Sequence, residues 1–234
     1  MTAVLLVEDD ASLQRFVQLV CEDLALTLVC VDHVDAALQR LRAQSFELIL
    51  SDLMLPQRHG LELLELLMQD PSLRAGARLA VFSAGLTPQV RSRLEALGIT
   101  HLLSKPCGVK ELQACLLGTT DTSTEPTVAE ASTHQFAIDQ HFGGNRSLYE
   151  RFRASCVRQF PLDAQALREA LAQCQATELR QRAHSLKSVV NSLGHPELGA
   201  YFRALEDGAC AMPPDWQGLA RIWAEAEPAL LALR

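Results

Sequence analysis

Asp52 ends the apolar run Leu48-Ile49-Leu50-Ser51 and is followed by Leu53-Met54-Leu55-Pro56 and then Gly60. A carboxylate at the carboxyl end of a buried strand sits where open α/β sheets bind ligands and do chemistry. Taken alone, such an Asp more often opens a solvated turn. Asp52 has company. Glu8, Asp9 and Asp10 follow Val4-Leu5-Leu6-Val7, Ser83 follows Leu79-Ala80-Val81-Phe82, and Lys105 follows Ile99 to Leu103. Each of these apolar runs ends in a group able to handle phosphate.

Side by side, Glu8, Asp9 and Asp52 would repel, and a hard divalent cation held by oxygen relieves that repulsion. Mg²⁺ suits it, because it takes one or two carboxylates and leaves positions for a phosphoryl oxygen. Asp52 then reads as a carboxylate nucleophile of the aspartyl-phosphate kind. Ser83 can donate to one phosphoryl oxygen and Lys105 can supply a charge to another. Lys105-Pro106 is an X-Pro bond, and a cis bond there would turn the lysine back toward the crevice. The plainer alternatives are a helix-capping acid cluster, a strand-end Ser and a surface Lys.

A second candidate nucleophile lies far along the chain. Around His184, the residues Arg180, Lys187, Ser188 and Asn191 recur three, four and seven positions away and share its helical face. Leu179, Ala183, Leu186, Val190 and Leu193 supply the apolar side. An exposed imidazole there keeps one nitrogen free as a nucleophile, and Lys187 can stabilise an incoming phosphoryl group. A lone helical His is more often structural.

The elements that position these groups fall into two halves of different period. Up to about Leu117, strands are expected near 3–8, 27–31, 47–52, 78–83 and 99–103, with helices near 11–25, 33–43, 59–69, 87–97 and 107–117. Alternating β and α elements call for a parallel sheet covered by helices on both faces. These units fit the flavodoxin-like (βα)5 order 2-1-3-4-5. Residues 119–135 are rich in Thr, Ser, Glu, Asp, Ala and Pro with no Lys or Arg, which reads as a flexible linker. Beyond it only helical periodicity appears: Leu148–Phe160, Leu162–Gln175, Glu178–Leu193, Glu197–Ala211 and Trp216–Leu233. Pro161, Thr177 as an N-cap, Pro196 and Pro213-Pro214 separate these helices, giving an antiparallel bundle with a short leading segment. The expected limits are 1–118, the linker 119–135, and 136–234.

Composition narrows the function classes. Lys plus Arg number 21 against 28 Asp plus Glu, a net charge of −7, which argues against nucleic acid as a direct partner. No apolar run approaches the ~18–20 residues of a membrane span, and no export signal is expected. The 7 cysteines are scattered without a CxxC pair, so reduced thiols in the cytoplasm are expected and zinc is not. His33, His59, His101, His134, His141 and His195 form no ligand spacing. Gly118 and Gly143-Gly144 are turn signals. Nothing in these residues reads as an ATP site or a basic recognition helix, so the primary kinase is expected to be another protein.

Val4 to Asp10, Ser51 to Pro56 with Gly60, Phe82-Ser83-Ala84 and Ser104-Lys105-Pro106 resemble the response-regulator receiver domain of bacterial two-component systems. The resemblance covers about residues 2–118. It implies that Asp52 is the phosphoacceptor, that Glu8, Asp9 and Asp52 hold Mg²⁺ with the Met54 carbonyl, and that Ser83 and Lys105 contact the phosphoryl group. Receivers often carry an aromatic ring three residues before the lysine; here Leu102 stands there. Ala183 to Gly194 resembles the motif of the histidine phosphotransfer (HPt) domain, over roughly residues 136–234. That implies His184 as phosphoacceptor on a helical bundle and Lys187 as its electrostatic partner. Ser188 stands where the family commonly has Gly.

The leading expectation is a phosphorelay protein that takes a phosphoryl group on Asp52 from a sensor histidine kinase and exchanges one on His184 with a receiver. The alternatives are a regulatory module that docks a partner kinase or response regulator without turnover, and a phosphate sink that drains such a regulator. Transfer of label from a phosphorylated receiver to His184 separates them.

Overall fold

A computed structural model of the chain describes residues 3–83, 86–105, 107–119 and 133–233. The chain divides into two compact units, Met1–Pro126 and Thr127–Arg234. No helix among the described residues is long and apolar enough to cross a membrane.

The first unit is a parallel sheet of five strands in the order β2-β1-β3-β4-β5. The strands are β1 (Ala3–Val7), β2 (Thr27–Val31), β3 (Leu48–Ser51), β4 (Arg78–Ser83) and β5 (His101–Ser104). This is the expected flavodoxin-like order. The central strands β1 and β3 are apolar on both faces and almost wholly buried, as strands covered by helices on both sides must be. Helices α1 (Ala11–Asp23), α2 (Val34–Ala43) and α3 (Gly60–Gln69) follow the first three strands, and α5 (Pro88–Ala96) and α6 (Val109–Leu117) the last two. A short helix α4 (Pro71–Arg74), unforeseen in the sequence, is inserted before β4. Asp70 starts it by accepting from the backbone of Ser72 and Leu73, with Pro71 in its first turn. Leu5, Val7, Ile49 and Val81 pack with Leu38, Leu41, Leu63 and Leu67 into one core layer. α1 and α6 pack together.

Register does the positioning. Val7 pairs with Ser51, and Ser83 with Ser104. The ladder runs one bond further, with Asp52 N–H donating to the Val7 carbonyl at 2.9 Å and Lys105 N–H to the Ser83 carbonyl at 3.2 Å. The strand-end residues are thereby set beside one another.

Among its described residues the second unit is all helical: α7 (Thr133–His141), α8 (Arg146–Ala172), α9 (Ala176–Ser192), α10 (Pro196–Ala209) and α11 (Trp216–Ala232). α8 packs on α9, α9 on α10, α10 on α11 and α11 back on α8. With short connections between them, this is an antiparallel four-helix ring. Phe152, Phe160, Leu186, Phe202 and Trp223 fill it. α7 begins at Thr133, inside the stretch expected as linker to 135; most of that expected linker, residues 120–132, lies outside the described residues.

Two expected boundaries are corrected. Pro161 does not divide two helices but lies inside the continuous α8. An interior proline costs about 3 kcal/mol, yet Phe152, Cys156 and Phe160 before it and Ala164 and Leu167 after it form one buried stripe. Burying several such side chains, at roughly 1.5–3 kcal/mol for each large one, outweighs that cost. Pro161 itself is exposed, so water can take the carbonyl it leaves free. Thr177 is not the N-cap of α9; Gln175 holds that position. The chain turns at Cys174, with φ of 53°, and re-enters a helix at once. The Gly143-Gly144 turn is as expected, both residues having positive φ.

Candidate functional site

The first site is built at the carboxyl ends of β1, β3, β4 and β5. Glu8, Asp52, Ser83 and Lys105 are all buried. Lys105 Nζ donates to Glu8 Oε2 at 2.5 Å and to Asp52 Oδ2 at 2.7 Å, and lies 5.0 Å from the centre of the Phe82 ring. Asp52 Oδ1 accepts from the Met54 N–H at 3.0 Å, and the Ser83 side chain also hydrogen-bonds to Asp52. Asp10 leaves the cluster to cap α1, accepting from Leu13 N–H at 2.8 Å. Gly60 is required behind the site, since a Cβ there would lie 1.8 Å from the Asp52 carbonyl oxygen. Leu102 packs partly buried against the core. The Lys105-Pro106 bond involves Pro106, outside the described residues.

Burial opposes ionisation of Asp52, but Lys105 and the hydrogen bonds it receives hold its carboxyl below the usual range. Burial likewise opposes the charge on Lys105, and Glu8 and Asp52 overcome it, raising its pKa. For Glu8 burial wins over Lys105, and its pKa lies well above the ordinary value. Asp9 is pushed up to about 6, by burial first and then by the charge on Asp52. One lysine therefore does not offset the burial of these carboxyls, to which their mutual repulsion adds. Glu8, Asp9 and Asp52 bring carboxylate oxygens within 4.8 Å of one another, a hard-donor set whose residual repulsion a divalent cation relieves. The donors fit Mg²⁺.

The second site lies across α9 and α10. His184 Nδ1 is 2.6 Å from Glu206 Oε1, and Lys187 Nζ is 2.5 Å from Glu206 Oε2. An ionised carboxylate only accepts hydrogen bonds, so Nδ1 carries the ring proton and Nε2 keeps its lone pair. Nε2 is itself buried and has no hydrogen-bond partner, so a partner's phosphoryl group reaches it only if the ring or its neighbours move. Burial works against the Glu206 charge, but hydrogen bonds from His184 and Lys187 depress its pKa to about 2. The imidazole is less open than expected, its side chain being 15% exposed. Ser188 is buried, and its hydroxyl turns back to the His184 carbonyl at 3.3 Å.

Lys187 is thus placed beside His184 as expected, through a carboxylate that the sequence did not reveal. Glu206 stands in Leu205-Glu206-Asp207-Gly208, with no spacing to mark it. Only its polar position on the largely apolar inner face of α10 could have drawn notice. Asn191, on the His184 face, packs its Oδ1 where a Cβ at Gly199 would be 2.1 Å away. Of the other histidines, His59 caps α3, and none joins a group able to hold a metal ion among the described residues.

Residues 4–117 match the family described as response regulator receiver domain, and residues 151–233 match the Hpt domain. The sensor histidine kinase AruS of Pseudomonas aeruginosa is 30% identical over 220 residues, covering 90% of this chain and 22% of AruS. The sensory/regulatory protein RpfC of Xanthomonas campestris pv. campestris is 27% identical over 228 residues, covering 91% of this chain and 31% of RpfC. The response regulator receiver protein CpdR of Brucella abortus is 28% identical over 113 residues, covering 48% of this chain and 91% of CpdR. The chain thus spans less than a third of the length of AruS and of RpfC. Residues 4–117 belong to the response regulator receiver domains, and residues 151–233 belong to the Hpt domains.

Proposed function

We propose that this chain is a phosphorelay protein of a two-component system, working in the cytoplasm. Its receiver extends over residues 1–118 and its HPt unit begins with α7. Asp52 accepts a phosphoryl group from the phosphohistidine of a sensor histidine kinase. A carboxylate oxygen bonds to phosphorus as the N–P bond breaks, and the kinase imidazole leaves. Ser83 and Lys105 bind the phosphoryl oxygens, Lys105 shifting its charge from the free carboxylate to the new acyl phosphate. Glu8, Asp9, Asp52 and the Met54 carbonyl would hold Mg²⁺, which when bound neutralises charge developing on the phosphoryl group.

At the second site, Nε2 of His184 bonds to the phosphorus of an aspartyl phosphate on a receiver partner. The O–P bond breaks and the partner's carboxylate is released. Glu206 keeps the proton on Nδ1 and balances the positive charge that the ring acquires, while Lys187 stabilises the incoming phosphoryl oxygens. The observation that carries this reading is the pairing, in one chain, of a buried Asp52 held by Lys105 with a His184 whose Nδ1 is engaged and whose Nε2 is unpartnered.

The test is incubation with purified sensor kinases and labelled ATP, followed by addition of partner receivers, using wild type, Asp52→Ala and His184→Gln. Label should reach the first site only with Asp52 present, and should pass between a partner receiver and the chain only with His184 present. Tight binding of a partner without any transfer of label would instead identify a docking module.

A further inference from the structure

Apart from the His184 site, the helical unit holds a cavity of about 280 Å³, bounded by α7, α8, the α9–α10 turn and the last residues of α11. Its polar lining is His134, Arg153 and His195; Val157, Leu193 and Leu233 make much of the rest. The two imidazoles meet edge to face, their centres 5.2 Å apart. No Asp or Glu is among the described residues that line it. The acid nearest Arg153, Glu150, lies one turn back on the same helix at 4.0 Å and is itself more than half exposed, so that pairing is weak. α10 begins directly after His195, which brings the positive end of a helix dipole to the same wall. Burial, then His134 and Arg153, hold His195 below the usual histidine range, and no carboxylate among the described lining residues offsets Arg153 from within the cavity.

A cation does not suit this lining. Arg153 repels it, and neither imidazole belongs to a group of three metal-ligating residues among those described. An anion satisfies all three polar groups, and the guanidinium fork matches a carboxylate in two bonds. The apolar wall calls for hydrocarbon, and the volume, at the small end for ligand pockets, limits it to a few carbons. We infer that this cavity binds a small amphipathic carboxylate, its carboxylate on Arg153 between His134 and His195 and its hydrocarbon on Val157, Leu193 and Leu233. Such a ligand bridges α7, α8 and α11 and stabilises the folded bundle by mass action.

The test is an NMR titration of the whole chain with hexanoate, following the imidazole ring resonances of His134 and His195. Saturable shifts of both rings are expected, with hexanamide binding at least tenfold more weakly and Arg153→Gln weakening hexanoate at least tenfold. Arg153→Lys, which keeps the charge but loses the fork, should fall between. Should Arg153→Gln unfold, the hexanoate–hexanamide comparison on the wild type still decides. Equal binding of hexanamide, or unmoved ring resonances at tens of millimolar hexanoate, would overturn the site. Inorganic phosphate binding as tightly as hexanoate would overturn the role given to the apolar wall.

Discussion

The two candidate phosphoacceptor sites solve the same electrostatic problem with opposite signs. At Asp52 a single buried cation, Lys105, serves two carboxylates. At His184 a single carboxylate, Glu206, serves a cation and an imidazole. In the first, Glu8, Asp52, Ser83 and Lys105 are buried and Asp9 is half-buried, and the groups come from four strand ends. The second is half-buried and spans two neighbouring helices. A buried charge left without its partner cannot be rehydrated, whereas a half-buried one partly can. The Asp52 site should therefore be brittle toward loss of its cation, and the His184 site graded in its responses.

The largest expected effect is chemical. Asp52→Asn should reduce kinase-dependent labelling of the receiver to background, while His184 still exchanges label with an added receiver. The adducts give the check: an acyl phosphate on Asp52 is cleaved by hydroxylamine, and a phosphoramidate on His184 by acid. Acid-labile label on the isolated first unit would erase the distinction between the sites.

Next comes Lys105→Met, which strands Glu8 and Asp52 in the interior. A loss of about 3–5 kcal/mol is expected for breaking a buried pair by removing one partner, read from urea unfolding of the receiver in EDTA. If the loss stays under about 1 kcal/mol, the buried site is no more brittle than the half-buried one.

The third prediction concerns pH. The Glu206 carboxyl is depressed from about 4.5 to about 2 in the folded chain, so its contribution is fully present above pH ~4.5 and lost as pH falls toward 2. The difference in stability between wild type and Glu206→Gln should therefore be on the order of 1–2 kcal/mol near neutrality, the full shift being reduced by solvent screening of a half-buried group, and shrink steadily below pH 4.5. A difference that does not vary between pH 6 and 3 would show that His184 and Lys187 do not hold the charge. At neutral pH the same variant should slow transfer to His184 roughly tenfold, a loss of about 1.4 kcal/mol of transition-state stabilisation.

The smallest effect belongs to Ser188→Ala. The hydroxyl bonds only to its own helix, so stability should change by no more than about 0.5 kcal/mol, and transfer should keep its rate. A several-fold change in transfer would mean that Ser188 acts on the imidazole directly.

Most of the Asp52 site was legible in the sequence, because parallel strands carry their own address. Each apolar run ends where its chemistry begins, and a doubly wound sheet brings all those ends to one crevice. Glu8, Asp9, Asp52, Ser83 and Lys105 could be named from Val4–Val7, Leu48–Ser51, Leu79–Phe82 and Ile99–Leu103 alone. The helical unit carried less of its address. Helical period placed Lys187 on the His184 face, one turn onward, and the five segments it marked cover α8 to α11, but it split α8 in two, misplaced the start of α9 and left α7 as a short leading segment. Pro161 is a local breaking signal, and only the buried stripe running through it on both sides keeps α8 whole.

Sequence by itself determined which side chains could do chemistry, the order of the strands, and the face on which His184 lies, since these follow from short-range periodicity. Tertiary structure alone decided how charges are shared. That Lys105 divides itself between Glu8 and Asp52 depends on the register of strands far apart in the chain. That Glu206 reaches both Nδ1 of His184 and Nζ of Lys187 depends on how α10 slides and rotates against α9. The cavity of His134, Arg153 and His195 likewise exists only where separate helices meet. Helix-to-helix register is set by the packing of many apolar side chains at once, and no local spacing in the sequence records its outcome.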